Sequence, residues 1–304
     1  MTDATTTPSR PRSRSGARSE AGPRRSDIIR PLFSAPPPAA NDLHVATWNI
    51  RRRIDGPTWP PNDRWSVRAP RMAAVLQADP PAVLGTQEAM PDQADLVRRS
   101  LGPAYRFVGR GRNADGRGEG CPIFFDTERL ELQGHEQLAL SQTPSVPGSR
   151  SWGSPVPRIV VRAAFRDRVS GASFTVLNTH LDVFSARARL RSAWLLSDLA
   201  AAVTGPVIVM GDMNAGPGSA PVAALLSGDL DDAWRIARER TSPPWDTYGA
   251  YVEPRMRRGP IDWIAVARGI GVERAAIDAR TVDGAAPSDH LGIHVLLRFA
   301  AGTS

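Results

Sequence analysis

The sequence predicts an α/β fold built on a mixed sheet, or on two sheets packed together. Three observations carry that expectation. Short β-prone runs recur along the whole chain from residue 43 onward. Few helical stretches interleave with them, too few for a purely parallel sheet. The chain has 304 residues, 41% of them hydrophobic, enough for one large core and too apolar for global disorder.

Element by element, Leu43-His44-Val45-Ala46-Thr47-Trp48 alternates and reads as a strand. An Arg- and Pro-containing loop follows. Pro70 is predicted to open a helix with Met72, Val75 and Leu76 on one face. Pro80-Pro81 stops it, and Ala82-Val83-Leu84-Gly85 reads as a buried strand ending at Gln87-Glu88. Strands are predicted at 105–108 and 122–125, a Pro/Ser/Gly loop over 141–157, and strands at 158–166 and 173–179. The spacing of Leu190, Trp194, Leu195, Leu199 and Val203 predicts an amphipathic helix over 185–203. Val207-Ile208-Val209-Met210 is a continuous apolar strand. A helix over 219–227 and strands at 261–266 and 293–297 complete the pattern. With no break in composition, one domain over 42–299 is expected, and residues 300–304 form a short C-terminal tail.

Residues 1–41 carry seven Arg against Asp3, Glu20 and Asp27 and show no hydrophobic period. They are expected to form a disordered tail. With no apolar h-region, a secretory signal is disfavoured and a cytoplasmic location is expected; a transit peptide would share the Arg/Ser bias. The net charge of +7 comes from 38 basic residues, all Arg, and much of it lies in this tail. It is therefore weak evidence for a nucleic-acid surface on the folded part. Cys121 is the only cysteine, which excludes an internal disulfide and a thiolate metal cluster. No run of 18 apolar residues exists, so no membrane span is expected. The protein is expected to be a monomer.

Several apolar strands end in a polar residue. Val45–Trp48 leads to Asn49, Val83–Gln87 to Glu88, Phe174–Leu177 to Asn178-Thr179-His180, and Val207–Gly211 to Asp212-Met213-Asn214. Ile261 precedes Asp262, and Ser288-Asp289-His290 precedes the last strand. Strand ends lie close together in a sheet, so these groups can converge on one cleft. Carboxylates and amides without cysteine suit Mg²⁺ or Mn²⁺, with Ca²⁺ a third candidate. A carboxylate able to take a proton from water, beside a cationic histidine or a metal, is equipment for phosphoester hydrolysis. Each residue alone reads as a turn, a cap or a core histidine; their joint order reverses that judgement.

Thr47-Trp48-Asn49-Ile50-Arg51, Gln87-Glu88, Asn178-Thr179-His180-Leu181-Asp182, Gly211-Asp212-Met213-Asn214, Ile261-Asp262-Trp263 and Ser288-Asp289-His290 together resemble the endonuclease/exonuclease/phosphatase superfamily. The likeness is to its deoxyribonuclease-I and deadenylase side rather than its exonuclease-III side, because Asn178-Thr179-His180 replaces a Tyr-Val-Pro-Asn type motif. The resemblance implies a four-layer sandwich of two mixed β-sheets flanked by helices. It implies that Glu88 holds a divalent metal, with Asn49 and Asp289 assisting. Asp212 would activate the attacking water, Asn214 would contact the scissile phosphate, and Asp262 would orient His290 on the phosphoryl oxygen. Glu119, in Glu119-Gly120-Cys121-Pro122, would hydrogen-bond His180.

Among the Arg clusters, Arg51 and Arg258 are the expected phosphate contacts, and Trp152, Trp245 and Tyr248 are candidates to stack a flat group. A phosphodiesterase or nuclease is the expected function, acting on a phosphoester such as a nucleic acid. A phosphomonoesterase on a small molecule or lipid headgroup is the alternative, and a non-catalytic binding module on the same fold is a third. His44 and His294 read as structural.

Overall fold

In the computed structural model, which describes residues 29–34 and 38–299, β1 (Leu43–Asn49) leads through a loop into α1 (Trp65–Ala78). β2 (Val83–Gln87), α2 (Pro91–Leu101), β3 (Tyr105–Val108), β4 (Ile123–Asp126) and β5 (Leu130–Ala139) follow. After the 141–157 loop come β6 (Ile159–Asp167), β7 (Ser173–His180), α3 (Ala186–Ala201) and β8 (Val207–Asp212). Short elements come next: α4 (Ala220–Leu225), β9 (Leu230–Asp232), α5 (Ala233–Ile236) and β10 (Glu239–Arg240). β11 (Asp262–Ala267), β12 (Gly271–Asp278) and β13 (Gly292–Arg298) close the chain.

The strands form two mixed sheets, in the orders β10-β12-β13-β1-β2-β4-β3 and β5-β6-β7-β8-β11-β9. The expected four-layer sandwich is what forms. Strand parity explains the layering. In β1, Leu43 and Val45 enter the core between the sheets, while Ala46 and Trp48 face outward against α1 and α2. In β8, Ile208 and Met210 point inward, and Val207 and Val209 pack outward under α3 and α4.

The same parity positions the polar ends. Asn49 shares the inward face of Val45, His180 that of Val176, Asp212 that of Met210, and Asp262 that of Ile264. Each arrives where its strand runs out of core. Register then sets them side by side. β7 pairs with β8 in parallel with His180 opposite Asp212, and β8 pairs with β11 antiparallel with Asp212 opposite Asp262. The two sheets approach closely at this end. A Cβ on Gly85 of β2 would come within 2.6 Å of Met210 Cε and 2.7 Å of Asn178 Cγ on the facing sheet.

Three boundaries differ from expectation. α1 begins at Trp65, so Pro70 lies inside it rather than at its start. Trp65, Arg68, Met72, Val75 and Leu76 form one buried face at helical spacing, and their burial outweighs the backbone bond that Pro70 cannot donate. Parts of the expected N-terminal tail pack on the domain. Phe33 is buried edge-on against His44 with ring centroids 5.3 Å apart, and the Leu32 N–H donates to Asp79 at 2.8 Å. The rest of 1–28, residues 35–37 and the short C-terminal tail at 300–304 lie outside the described residues. Finally, α2, β5 and β12 had no counterpart in the sequence pattern. No helix among the described residues is long and apolar enough to cross a membrane.

Candidate active site

A cleft of about 490 Å³ opens where these strand ends meet. Glu88, His180, Asp212, Asn214, Asp289 and His290 all line it. Six separate stretches of chain, expected to converge, do so.

Asp212 sits at the centre. Its Oδ2 accepts from Asn49 Nδ2 at 3.0 Å, and its Oδ1 accepts from the Asn214 N–H at 2.8 Å. His180 Nε2 lies 3.5 Å away and His290 Nε2 3.8 Å away. Burial raises the pKa of Asp212, and the neighbouring Asp262 carboxylate raises it further, against the pull of the two histidines. The raised pKa makes this carboxylate a stronger base toward water than an ordinary aspartate.

The two imidazoles are held in opposite states. His290 Nδ1 donates to Asp262 Oδ2 at 2.8 Å, both groups being buried. Burial opposes the charge on His290, but Asp262 outweighs it and lifts the pKa to about 10. His180 is pushed down to about 4, mainly by burial. Its hydrogen bonding agrees. Asn214 Nδ2 reaches both the Leu181 carbonyl, which can only accept, and His180 Nε2, each at 3.0 Å. The amide therefore points its NH₂ at the ring, so Nε2 is unprotonated. One histidine is a cationic donor and the other a neutral acceptor.

Glu88 follows β2 with φ of +60°, and Arg51 and Asn214 also adopt positive φ just past the ends of β1 and β8. Such backbone, unusual outside glycine, gathers at functional sites. Glu88 Oε1 accepts from Asn49 Nδ2 at 3.1 Å, and Oε2 from the Arg52 N–H at 2.9 Å. Burial disfavours its charge, yet the imidazoles, the Arg52 N–H and the Asn49 amide hold its pKa down at about 2. Asp289 is raised by burial and by Glu88.

The Glu88 and Asp289 carboxylates face the cleft, with the Asn49 amide buried behind Glu88, and form a hard-oxygen donor set that fits a divalent cation. Asp212, Asp262 and His290 also offer ligand atoms within 4.8 Å of one another. The 2.8 Å Asp262–His290 hydrogen bond already commits that histidine to its carboxylate, so Glu88 and Asp289 are the better candidates.

Buried polar bonds lock the scaffold. Asn178 spans the sheets, donating to the carbonyls of Thr86, Cys121 and Pro122 and accepting from Gln87 Nε2 at 2.7 Å. Trp48 Nε1 donates to the His290 carbonyl at 3.0 Å, and Ser288 Oγ donates to the Asn49 carbonyl at 2.7 Å. Arg68, fully buried in α1, donates to five carbonyls: those of Asp63, Ile50, Pro287, Arg51 and Arg52. Sequence reading missed Arg68. Its signal was a charged residue at helical spacing from Trp65, Met72 and Val75.

Two expected roles are corrected. Glu119 does not hydrogen-bond His180; it pairs with Arg112 at 2.7 Å and Arg52 at 3.7 Å, because the Gly-rich loop carrying Arg112 folds back over it. Arg258 does not line the main cleft. It lies in a neighbouring groove, its N–H donating to Asp246 Oδ1 at 2.8 Å, because Asp246 gathers the 257–259 backbone there. Arg51 does line the cleft, forked on Asp63 at 3.1–3.2 Å and 3.6 Å from Asp289. Tyr248 flanks His290 with ring centroids 5.1 Å apart. Trp152 and Trp245 are not among the cleft residues. Arg158, Val183 and Phe184 are, and the sequence did not single them out.

Residues 46–290 match the Endonuclease/Exonuclease/phosphatase family. A curated Drosophila melanogaster protein, nocturnin, is 28% identical over 154 residues, 47% of this chain but only 23% of that protein. A solved endonuclease/exonuclease/phosphatase family protein from Bacteroides thetaiotaomicron is 28% identical, with TM-score 0.79, covering 85% of this chain and 98% of its own. A mannosyl-6-phosphatase from Bacteroides thetaiotaomicron is 29% identical, with TM-score 0.76, covering 84% of this chain and all of its own. With the family's motifs converging on one buried acid and two histidines, the chain belongs to the endonuclease/exonuclease/phosphatase family.

Proposed function

We propose that the protein is a divalent-metal-dependent phosphoester hydrolase. The observation that carries this reading is Asp212, a buried carboxylate with raised pKa, oriented by Asn49 and Asn214 between a neutral and a cationic imidazole. Asp212 takes a proton from the water as its oxygen bonds to phosphorus; the ester P–O bond breaks, and the departing alkoxide takes a proton from solvent to leave as the alcohol. His290, kept cationic by Asp262, donates from Nε2 to the phosphoryl oxygen that gains charge. Asn214, whose NH₂ donates to the Leu181 carbonyl and to His180 Nε2, holds the neutral imidazole beside Asp212 and so fixes where the water can sit. Glu88 and Asp289, with Asn49, would hold the cation, Mg²⁺ or Mn²⁺, with Ca²⁺ also compatible with oxygen ligands. When bound, it supplies Lewis-acid polarisation and charge neutralisation.

The cleft volume of about 490 Å³ suits a small-molecule ester. That observation, with the mannosyl-6-phosphatase among the relatives, supports a phosphomonoesterase ahead of the phosphodiesterase expected from sequence. Diester or nucleic-acid cleavage is the second reading, favoured by the guanidinium groups of Arg51, Arg52, Arg112 and Arg158 along the cleft wall.

The test is one panel. Purified protein with EDTA, Mg²⁺ or Mn²⁺ meets p-nitrophenyl phosphate, bis(p-nitrophenyl) phosphate, single-stranded RNA and duplex DNA, beside Glu88→Ala and His290→Ala. Metal-dependent monoester cleavage lost in both variants is the expected result. Cleavage of the diesters alone selects the second reading. Turnover that survives both substitutions refutes the site.

A further inference from the structure

We propose that Arg158, Arg112 and Glu119 form a recognition subsite for a sugar-like, polyhydroxylated group esterified to the phosphate. This rests on reading the cleft as a phosphoester-hydrolase site.

Arg158 supplies the first observation. Its side chain is 6% exposed, and it lines both the main cleft and a side recess shared with Glu88, Arg112, Glu119 and His180. Its Nε has no hydrogen-bond acceptor in the protein. The nearest carboxylate, Asp182, is 3.5 Å away and already accepts from the Phe184 and Ser185 N–H groups and from Ser154 Oγ. Among the described residues no hydrogen bond ties this guanidinium beyond the 3.5 Å approach of the enclosed Nε to Asp182, so its other N–H groups, on the cleft lining, are the ones free to receive an acceptor from a ligand.

Glu119 is the second. It is mostly buried on the same wall, touching Arg112 at 2.7 Å and Arg52 at 3.7 Å, and it presents acceptor oxygens beside Arg158's donors.

Donors and acceptors alternating on one wall select among ligands. A second phosphate or a carboxylate would satisfy the arginines but meet Glu119 and Glu88 as like charges. An ammonium would meet the reverse problem. An apolar group would leave both unpaired. Hydroxyls donate and accept, so neighbouring hydroxyls satisfy both kinds of group at once.

The cleft mouth adds an apolar surface. Phe184 is 74% exposed and lies beside Val183 in the lining. Their loop is held rigidly: Asp182 Oδ1 accepts from Phe184 and Ser185, and Arg189 Nη1 donates to the Asp182 and Val183 carbonyls. An exposed ring fixed at the lip of a polar recess matches a ligand with a C–H face and hydroxyl edges. A sugar ring has both.

The test separates binding from turnover. With EDTA present, calorimetry measures a hexose 6-phosphate, an inositol monophosphate, guanosine 5′-monophosphate and p-nitrophenyl phosphate binding to wild type, Arg158→Met, Arg158→Lys and Glu119→Gln. Wild type is expected to bind the hexose ester at least about tenfold tighter than the aryl ester, since a polar subsite discriminates against ligands lacking its hydroxyls. Arg158→Met and Glu119→Gln are expected to erase most of that ratio, and Arg158→Lys to restore part of it. Urea midpoints confirm that each variant folds; Glu119→Gln, nearly isosteric, carries the test if Arg158→Met does not. The inositol arm tells a cyclitol source from a hexose. No preference in wild type, a preference kept by the variants, or tighter binding of the nucleotide would overturn the proposal. A preference that persists in a protein hydrolysing none of these esters with any divalent ion would instead sink the hydrolase reading and leave the subsite standing.

Discussion

In the proposed mechanism Asp212 and His290 work in opposite protonation states, and that fixes the expected pH behaviour. Asp212 acts unprotonated, and burial with Asp262 raises its pKa, so kcat/KM falls as pH drops through that raised value. His290 acts protonated, so the rate falls again as pH climbs past about 10. Asp262→Asn removes the anion that keeps His290 charged. The alkaline limb of the pH–rate profile is then expected to move down by about one unit or more. Replacing Asp212 by Asn or His290 by Ala is expected to lower kcat by roughly 10²–10³, the cost of one oriented proton-transfer or oxyanion group. Steady-state kinetics on p-nitrophenyl phosphate checks both. Among single residues, sequence order pointed to Asn49, Glu88, His180, Asp212, Asn214, Asp262, Asp289 and His290. It did not say which histidine is charged, because that depends on a carboxylate 28 positions away.

At the scale of elements, α1 and the β7–β8 pair hold the site. Arg68 ties α1 to the loop after β1, whose Arg52 N–H binds Glu88. Arg68→Met removes a donor from five carbonyls, of which that of Arg51 keeps Gln93 Nε2, and is expected to cost at least about 3 kcal/mol, measured by urea denaturation. Gly211 permits His180 and Asp212 to sit side by side. Its φ is +141°, and a Cβ there would come within 1.9 Å of the Thr179 carbonyl oxygen. Gly211→Ala is expected to destabilise by about 3 kcal/mol or more and to impair kcat in what still folds, read by urea midpoint and single-turnover rate. The strands that carry motifs were legible because their apolar residues run unbroken. β5 and β12 were not, because charged residues interrupt their apolar runs: β5 is largely exposed around Glu131, and β12 buries Arg274 in mid-strand.

For the molecule as a whole, the sandwich has its own apolar cores and is expected to assemble without an ion. EDTA is expected to abolish turnover while far-UV circular dichroism stays unchanged. Saturating Mg²⁺ would raise the unfolding free energy by only about 3 kcal/mol at 100 times its Kd. The packed N-terminal segment makes a second prediction. Phe33 is buried against His44 and beneath the Arg274 guanidinium, so deleting residues 1–34 is expected to cost about 2 kcal/mol. Deleting only residues 1–28 keeps the Phe33 contact and is expected to spare that loss, read by the urea midpoint.

By itself the sequence determined the class of fold and most of the polar groups that converge on the cleft. Apolar strands ending in Asn49, His180 or Asp212 carry both the alternation that buries one face and the polar residue that must emerge where the core ends. Only the tertiary structure decided the rest. It moved Glu119 from His180 to Arg112, took Arg258 out of the cleft, brought Arg158 into it, and buried Arg68 against the loop after β1. The reason is physical. Strand parity is a local rule with a period of two residues. The direction of a long side chain from a loop, and the charge on a buried imidazole, depend on neighbours that only the packing of the two sheets supplies.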